Sequence, residues 1–244
     1  MFLKELEDYP WFPSSMRKMQ LEYVGWISVQ LKLYRPLLKE IIKFPSNQWV
    51  DLASGSGWPA CYLQKNASHH IHYTLSDLYP ESVSNEVKKM AEVEPESLDL
   101  NKFQPQNGKQ SPLFNAFHHF PSAQQKQLIK KMKEAKANCI IAEVLEPSLL
   151  SFIQVTLAAF IVQPLTAWAI RPFSILRMIT TYLIPIQLVT VAWDGWLSVI
   201  KSKNIHQYKE LLNGFNDNQY SIEVKRIQHL QGNLIVIIAH PISS

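Results

Sequence analysis

A chain of 244 residues, 47% of them hydrophobic, is long enough to bury a full core, and sheet-containing α/β chains of this length are often single domains. Two cysteines are too few for a disulfide framework, and 24 basic against 20 acidic residues leave a net charge of only +4, which argues against a polybasic nucleic-acid binder. Met1 to Asp8 is too acidic and too interrupted for a secretory signal, and with Cys61 on a helix and Cys139 on a strand a reducing cytoplasm is expected.

Glu7 to Phe44 precedes the first strand signal and is dense in aromatics. Ser14 or Ser15 is placed to cap a helix beginning near Met16, and Met19, Tyr23, Trp26, Ile27, Gln30 and Tyr34 follow broadly helical spacing. Trp11, Phe12, Tyr23 and Tyr34 are candidates to cover a ligand, with core packing as the alternative. Arg35, before Pro36, either reaches a ligand carboxylate or sits on a surface turn.

Gln48 to Leu52 then reads as a buried strand and Trp58 to Gln64 as a helix, with Gly55 and Gly57 in the loop between them. Small residues there let backbone approach a nucleotide-like ligand that a Cβ would hold off. Gly55-Ser56-Gly57-Trp58-Pro59-Ala60 fits the dinucleotide pattern G-x-G-x-x-A, and Pro59 is tolerated in a first helical turn. Asp51 separates the two cofactor classes, because an acid four residues before Gly55 suits a cationic ligand better than a pyrophosphate. Asp51 to Gly57 resembles motif I of class I S-adenosylmethionine (SAM)-dependent methyltransferases, with Ala53 in place of the first glycine. The resemblance implies an α/β, Rossmann-like methyltransferase fold: a seven-stranded, mostly parallel sheet with a terminal antiparallel hairpin. It also implies SAM as cofactor, lined by Asp51, Ala53, Ser54, Gly55, Ser56 and Gly57.

His72 to Asp77 reads as a second strand ending in an acid about 20 residues after the glycine loop, where a carboxylate holds ribose hydroxyls. Asp77, with Leu78 beside it, is the ribose candidate, and a cap or turn aspartate is the alternative. Asp99 stands where the resemblance implies a polar residue near the adenine. Pro112 to Phe120 begins as a fourth strand and ends in His118 and His119, with Asn115 and Ala116 on the cofactor side. Ser122 and Gln125 suggest a capping box for the following helix. Strand ends are the ligand edge of an open α/β sheet, so one histidine is a candidate general base and the other structural. Adjacent histidines diverge and no Cys/His/acid set with ligand spacing accompanies them, so no metal is expected. Asn138 to Pro147 supplies a fifth strand with Glu143 inside it and Glu146 just beyond. A buried carboxylate without a partner is costly, so Glu143 should face the site or find one; Glu146 either orients an acceptor or is solvated.

From Ser148 to Ile200 the only charges are Arg171, Arg177 and Asp194. Leu149 to Ile170 reaches the length of a bilayer span, about 20 residues, but Gln154, Gln163 and Pro164 interrupt it, and Pro185 and Gln187 interrupt the second uncharged run. Three readings stand: an apolar helical cap over the site, a helical pair dipping into one leaflet, or a transmembrane hairpin. The first two imply a hydrophobic acceptor, and in the family resembled insertions at this point help build the acceptor pocket. Asp194, set among Trp193, Gly195 and Trp196, is a site residue or the ion-pair partner of Arg171 or Arg177. Ile205 to Leu212 reads as a helix stopped at Asn213-Gly214, and Tyr220 to Ile227 and Leu234 to Ala239 as strands around a Gln231-Gly232-Asn233 turn.

The chain thus reads as one domain over 1–244, with an N-terminal helical lid over 7–44 and an apolar insertion over 148–200. The resemblance implies a SAM-dependent methyltransferase for a small, hydrophobic acceptor, with His118, His119, Glu143 and Asp194 as candidates to activate or orient it. Lys126, Lys130, Lys131, Lys133 and Lys136 read as a solvated face, with contact to anionic lipid as the alternative. Nucleic acid is not expected as a substrate, because Asn115-Ala116-Phe117-His118 lacks the Asn/Asp-Pro-Pro-aromatic signature of base methylation. Peripheral contact with the inner face of a membrane through 148–200 is a further expectation. An NAD-linked oxidoreductase and a non-catalytic, membrane-associated binding protein on the same fold are the alternatives.

Overall fold

The computed structural model describes residues 4–44, 46–229 and 232–242. One sheet contains β1 (Gln48–Asp51), β2 (His72–Leu75), β3 (Glu92–Val93), β4 (Gln110–Phe114), β5 (Asn138–Glu143), β6 (Tyr220–His229) and β7 (Gly232–Pro241), in the order β3-β2-β1-β4-β5-β7-β6. β1 to β5 are parallel, and β7 runs antiparallel between β5 and β6. Burial follows this placement. β4 and β5 are buried at every position, as strands covered on both faces must be, whereas β1 and β2 alternate. The chain crosses over between β1 and β4, which brings their carboxyl ends side by side at the edge where open α/β sheets bind ligands. Gln231 of the expected hairpin turn lies outside the described residues.

Helices α1 (Ser14–Gln30), α2 (Trp58–Asn66), α3 (Ser122–Glu134) and α7 (Ile205–Leu211) flank the sheet; α4 to α6 belong to the insert. α1 and α3 each start directly after a proline, Pro13 and Pro121, without a side-chain cap. The capping roles expected of Ser14, Ser15 and Ser122 are therefore not used. Gln125 instead donates through Nε2 to the Phe117 carbonyl at 2.6 Å, fastening α3 to the loop that carries the histidines. Asn204 and Gln207 do form a capping box at α7. Two apolar layers hold the sheet, one around Tyr34, Leu37, Leu63 and Tyr73, the other around Leu113, Phe117, Ile129 and Tyr208. Tyr34 packs edge-on against Phe114, a core contact rather than a ligand cover. Only short 3-10 turns follow β2, and a cleft of about 1080 Å³ opens there beside Trp49, Tyr73, Lys88 and Lys109.

The insert forms α4 (Leu149–Thr166), α5 (Ile175–Leu183) and α6 (Ile186–Lys201), the last two meeting at an 83° bend before Pro185. Ser148 caps α4 through its Oγ, which accepts the Ser151 N–H at 3.1 Å. α6 crosses α4 closely at Gly195, where a Cβ would lie 2.3 Å from Val155 Cγ1. The inner side of the insert is tied to α1 along its length. Tyr23 donates its hydroxyl to the Ala158 carbonyl at 2.5 Å, Arg177 pairs with Glu22 at 2.5 Å, and Ile170, in the loop joining α4 to α5, is buried beside Tyr23 and Val191. α4 and α5 therefore lie along the domain and do not stand away from it as a transmembrane hairpin would.

Gly57 has φ +77°, and a Cβ there would meet Val87 Cγ1 at 2.6 Å and Leu75 Cδ1 at 2.8 Å. Gly57→Ala is expected to destabilise the fold by about 1–3 kcal/mol. Urea denaturation with an unchanged midpoint would show that the loop does not take this conformation.

Candidate active site

Asp51 ends β1 with its side chain buried and a long contact, 3.4 Å, from the Ala53 N–H. Burial, helped by the neighbouring charge of Asp77, pushes its carboxyl up to about 8 against the bonds from Ala53 and Ser54. No Lys or Arg pairs with it among the described residues. Ser54 donates its hydroxyl to the Ser76 carbonyl at 3.0 Å and Ser76 donates its own to the Asp51 carbonyl at 2.7 Å, joining the ends of β1 and β2. The loop between them is closed by Asp77, whose Oδ2 accepts the Gly55 N–H at 2.8 Å and whose Oδ1 accepts the Tyr79 N–H at 2.9 Å. Burial raises the Asp77 carboxyl, while those two bonds oppose the shift. Each carboxylate oxygen keeps a second lone pair, so the same side chain can still accept a ribose hydroxyl. α1 covers this loop directly. A Cβ on Gly25 would fall 2.1 Å from Ser56 Oγ, and Leu21 packs over Gly55.

The other cofactor candidates take humbler positions. Leu78 is exposed. Asp99 accepts both the N–H and the side-chain amide of Asn101 on Oδ1, at 2.9 and 3.0 Å, and so caps its own turn. The neighbouring Leu98 N–H donates to the Asp77 carbonyl at 2.8 Å, which keeps that loop beside the site. Asn115 adopts φ +52°, donates its N–H to the Ala142 carbonyl at 2.7 Å and accepts the Val144 N–H at 3.4 Å. It bridges β4 to β5, with Ala116 buried next to it.

His118 and Glu143 form a buried pair at the same edge. Glu143 accepts His118 Nδ1–H at 2.5 Å and the Phe117 N–H at 2.8 Å, so the carboxylate has the partners that its burial demands. His118 Nε2 is buried and has no hydrogen-bond partner among the described residues; Glu5 Oε1 stands 3.9 Å away. His119 turns toward the N-terminal segment, with Nδ1 3.1 Å from Asp8 and Nε2 3.5 Å from Glu5 and 3.9 Å from Glu7. Burial opposes its charge, but Glu5, Asp8 and Glu7 outweigh it and push the imidazole up to about 10. Burial would raise Glu5, yet His119, His118 and Lys201 hold it below the usual carboxylate range. Glu7 moves the other way, raised by burial and by the nearby acids against the pull of His119.

Asp194 belongs to this cluster and not to an arginine. Its Oδ1 accepts the Leu6 N–H at 2.6 Å, and its Oδ2 accepts the Glu7 N–H at 3.1 Å and Gln20 Nε2 at 2.6 Å. Burial pushes it up to about 6. The expected pairing with Arg171 or Arg177 does not occur, because Arg177 pairs with Glu22 and Arg171 is exposed. Glu146 pairs with Arg226 and Arg35 lies at the surface. Of the aromatic cover candidates, Phe12 packs on Met16 and Met19, whereas Trp11 is exposed.

Glu5, Asp8, Arg17 and Lys201 are functional neighbours that sequence reading passed over. Arg17 stacks on the Tyr79 ring at 3.6 Å and donates to the Glu7 and Tyr9 carbonyls, pinning the N-terminal segment over the site. The only available signal was the acid-rich run Glu5-Leu6-Glu7-Asp8. Glu5, His118 and His119 also bring potential metal-ligand atoms within 4.8 Å of one another, a grouping that no local spacing reveals. Lys201 Nζ already lies 2.9 Å from Glu5 there.

No protein-family model matches the sequence, and no curated protein matches it. Solved structures do resemble the fold. Human N-acetylserotonin methyltransferase in complex with SAM shares 14% identity over 93% of this chain and 56% of its own length, with a TM-score of 0.55. The plantazolicin methyltransferase BpumL in complex with SAH shares 10% identity over 93% of this chain and 88% of its own, at 0.54. A complex of DhpI with SAM shares 12% over 93% and 95%, at 0.52. This chain therefore spans little more than half the length of the human protein. The likeness establishes the fold, that of the SAM-dependent methyltransferases, and the antiparallel β7 departs from the parallel sheet of dinucleotide-binding domains.

His119 supplies a pH test. Its raised pKa contributes stability that is fully present below the usual 6.5 and is lost as pH rises through about 10. His119→Asn, which leaves buried carboxylates uncompensated, is expected to cost about 2–4 kcal/mol at pH 7. The gap from the parent protein should close as pH approaches 10, and a pH-independent gap in urea titrations would show that His119 is not charged.

Proposed function

We propose that the chain is a SAM-dependent methyltransferase that acts on a hydroxyl of a small, lipophilic acceptor, with His118 as general base. The observation that carries this reading is the His118–Glu143 pair, set at the ligand edge of a methyltransferase fold with a buried Nε2 that nothing occupies. Glu143 accepts the Nδ1 proton, which assigns the tautomer and leaves the Nε2 lone pair for an acceptor proton. Glu143 then stabilises the imidazolium that forms, as the orienting carboxylate of a base does.

The cofactor reading rests on Asp51, Asp77 and the loop between their strands. When bound, SAM supplies a methyl group on a sulfonium, activated toward nucleophiles. Asp51, a buried acid with no Lys or Arg paired to it among the described residues, fits the ammonium end of such a ligand, and the left-handed glycines keep Cβ atoms from the loop. Asp77 offers its free lone pairs to the ribose. The neighbouring complexes with SAM and SAH support the same assignment. α1 and the N-terminal segment exclude water, and a dry, positioned site is where much of the rate of methyl transfer arises. Glu5 borders His118 Nε2, so the acceptor enters as residues 5–8 give way. The apolar insert beside this entrance supports a lipophilic acceptor.

Calorimetry with SAH and with NAD tests the cofactor. SAH should bind and NAD should not; NAD binding alone would replace this reading with the oxidoreductase one, and binding of neither would favour a non-catalytic protein. Asp77→Ala should weaken SAH by about 1–3 kcal/mol. With radiolabelled SAM and a panel of phenols, His118→Ala should lower turnover by about 10²–10⁴-fold while the SAH Kd stays unchanged. Equal turnover by His118→Ala and the parent protein would remove His118 from the chemistry.

A further inference from the structure

The insert is apolar on its outside and mixed on its inside, where most of its polar side chains are gathered. On α6, Gln187, Thr190, Asp194 and Ser198 are buried at helical spacing beside Val191, Ala192, Leu197 and Val199, while Ile186, Val189, Trp193 and Ile200 face outward. α4 and α5 repeat the arrangement, with Gln163, Thr180 and Thr181 inside and Leu150, Leu165 and Leu183 outside, the last 76% exposed. A helix that meets water on its outer face has the opposite order. α4 has a mean hydropathy of 1.7 and only 17% of its residues buried, so it is not a core helix. Most of the large apolar side chains that the described residues expose belong to this one segment, far beyond the scattered exposure ordinary for a soluble surface. Of its three charges, Arg177 and Asp194 are turned inward, the first paired with Glu22 and the second accepting the Leu6 and Glu7 N–H groups, which leaves Arg171 at the surface.

We propose that this face is a membrane-docking surface that lies within one leaflet, with Arg171 on a lipid phosphate. The segment is held against the domain instead of being free to cross the bilayer: α4 and α5 are tied to α1 through Tyr23 and Glu22, the loop between them is anchored by buried Ile170, and α5 meets α6 at an 83° bend. Its backbone is helical outside the 167–174 connection and the break at Ile184–Pro185, which suits contact with acyl chains. Trp168, Tyr182 and Trp193 are exposed on this segment, the residue types that settle at headgroup level. Lipid is a better occupant than a second copy of the chain. A self-contact through this segment would offer Arg171 no acid, since the segment exposes none, whereas an anionic bilayer supplies phosphate. The inference goes beyond methyl transfer and does not rest on it.

Flotation of the full chain with vesicles of phosphatidylcholine, with and without phosphatidylglycerol, tests it. The protein should float with both, more completely with the anionic lipid, and remain bound after a high-salt wash. Leu183→Asp/Val189→Asp should lower the bound fraction by about tenfold or more, and Arg171→Glu should remove the preference for phosphatidylglycerol. Thermal melts and SAH calorimetry on the same preparations report whether the variants are folded, so loss of docking is separable from loss of the cofactor site. Brominated phosphatidylcholine should quench the exposed tryptophans of the unaltered protein, a readout that needs no substitution. Failure to float together with absence of quenching overturns the proposal. So does a stable dimer in sedimentation velocity that the double substitution dissociates and that leaves no vesicle binding.

Discussion

Glu5 accepts hydrogen bonds from Ser198 and Lys201 of α6 while it faces His118 and His119 beyond β4. One buried carboxylate thus joins the N-terminal segment, the insert and the histidine-bearing edge of the sheet. Around it, His119 answers Asp8 and Glu7, and Asp194 holds the Leu6 and Glu7 N–H groups from the insert side. Buried ions without partners cost several kcal/mol each, so these groups are stable only as a set. The arrangement of the lid, the cap and the site therefore depends on charge compensation that no single element supplies.

The same requirement explains why the two histidines differ. His119 meets three carboxylates and is held as a cation, which disqualifies it as a base while it stays in place. His118, one residue earlier, has its Nδ1 fixed by Glu143 and its Nε2 left without a partner. Neighbouring side chains on a 3-10 turn diverge, and the turn Phe117–His119 divides them between the Glu143 carboxylate and the N-terminal acidic cluster.

The sheet was largely legible because its signals are local. The Gln48 to Leu52 run, the glycine loop, Asp77 and the strands at Leu113, Ile140 and Ile237 all fall where apolar runs and turn residues put them. Helix starts read less well: Pro13 and Pro121 open α1 and α3, where serine caps were expected. The site was half legible. His118 and Glu143 lie 25 residues apart on adjacent strand ends, which the parallel order brings together. Glu5 and Asp194 are separated from their partners by more than a hundred residues, and nothing in the spacing of acids announces a contact made across the whole chain. The inversion of the insert was hidden for a related reason. Composition showed that residues 148–200 are apolar, but only the fold shows that Gln163, Arg177, Gln187 and Asp194 face inward while Arg171 stays at the surface.

α6 links the apolar face to the chemistry. Val189 and Trp193 stand on its outer side, and Asp194 and Ser198, one and five residues past Trp193, hold Leu6, Glu7 and Glu5 on its inner side. A rigid helix cannot shift on one face alone. In the proposed docking, lipid against Trp193 would be felt at the segment that borders His118 Nε2. The outward side chains proposed to meet the bilayer and the inward ones that hold residues 5–7 share three turns of the same helix, so the proposed docking and the proposed admission of an acceptor would be mechanically linked.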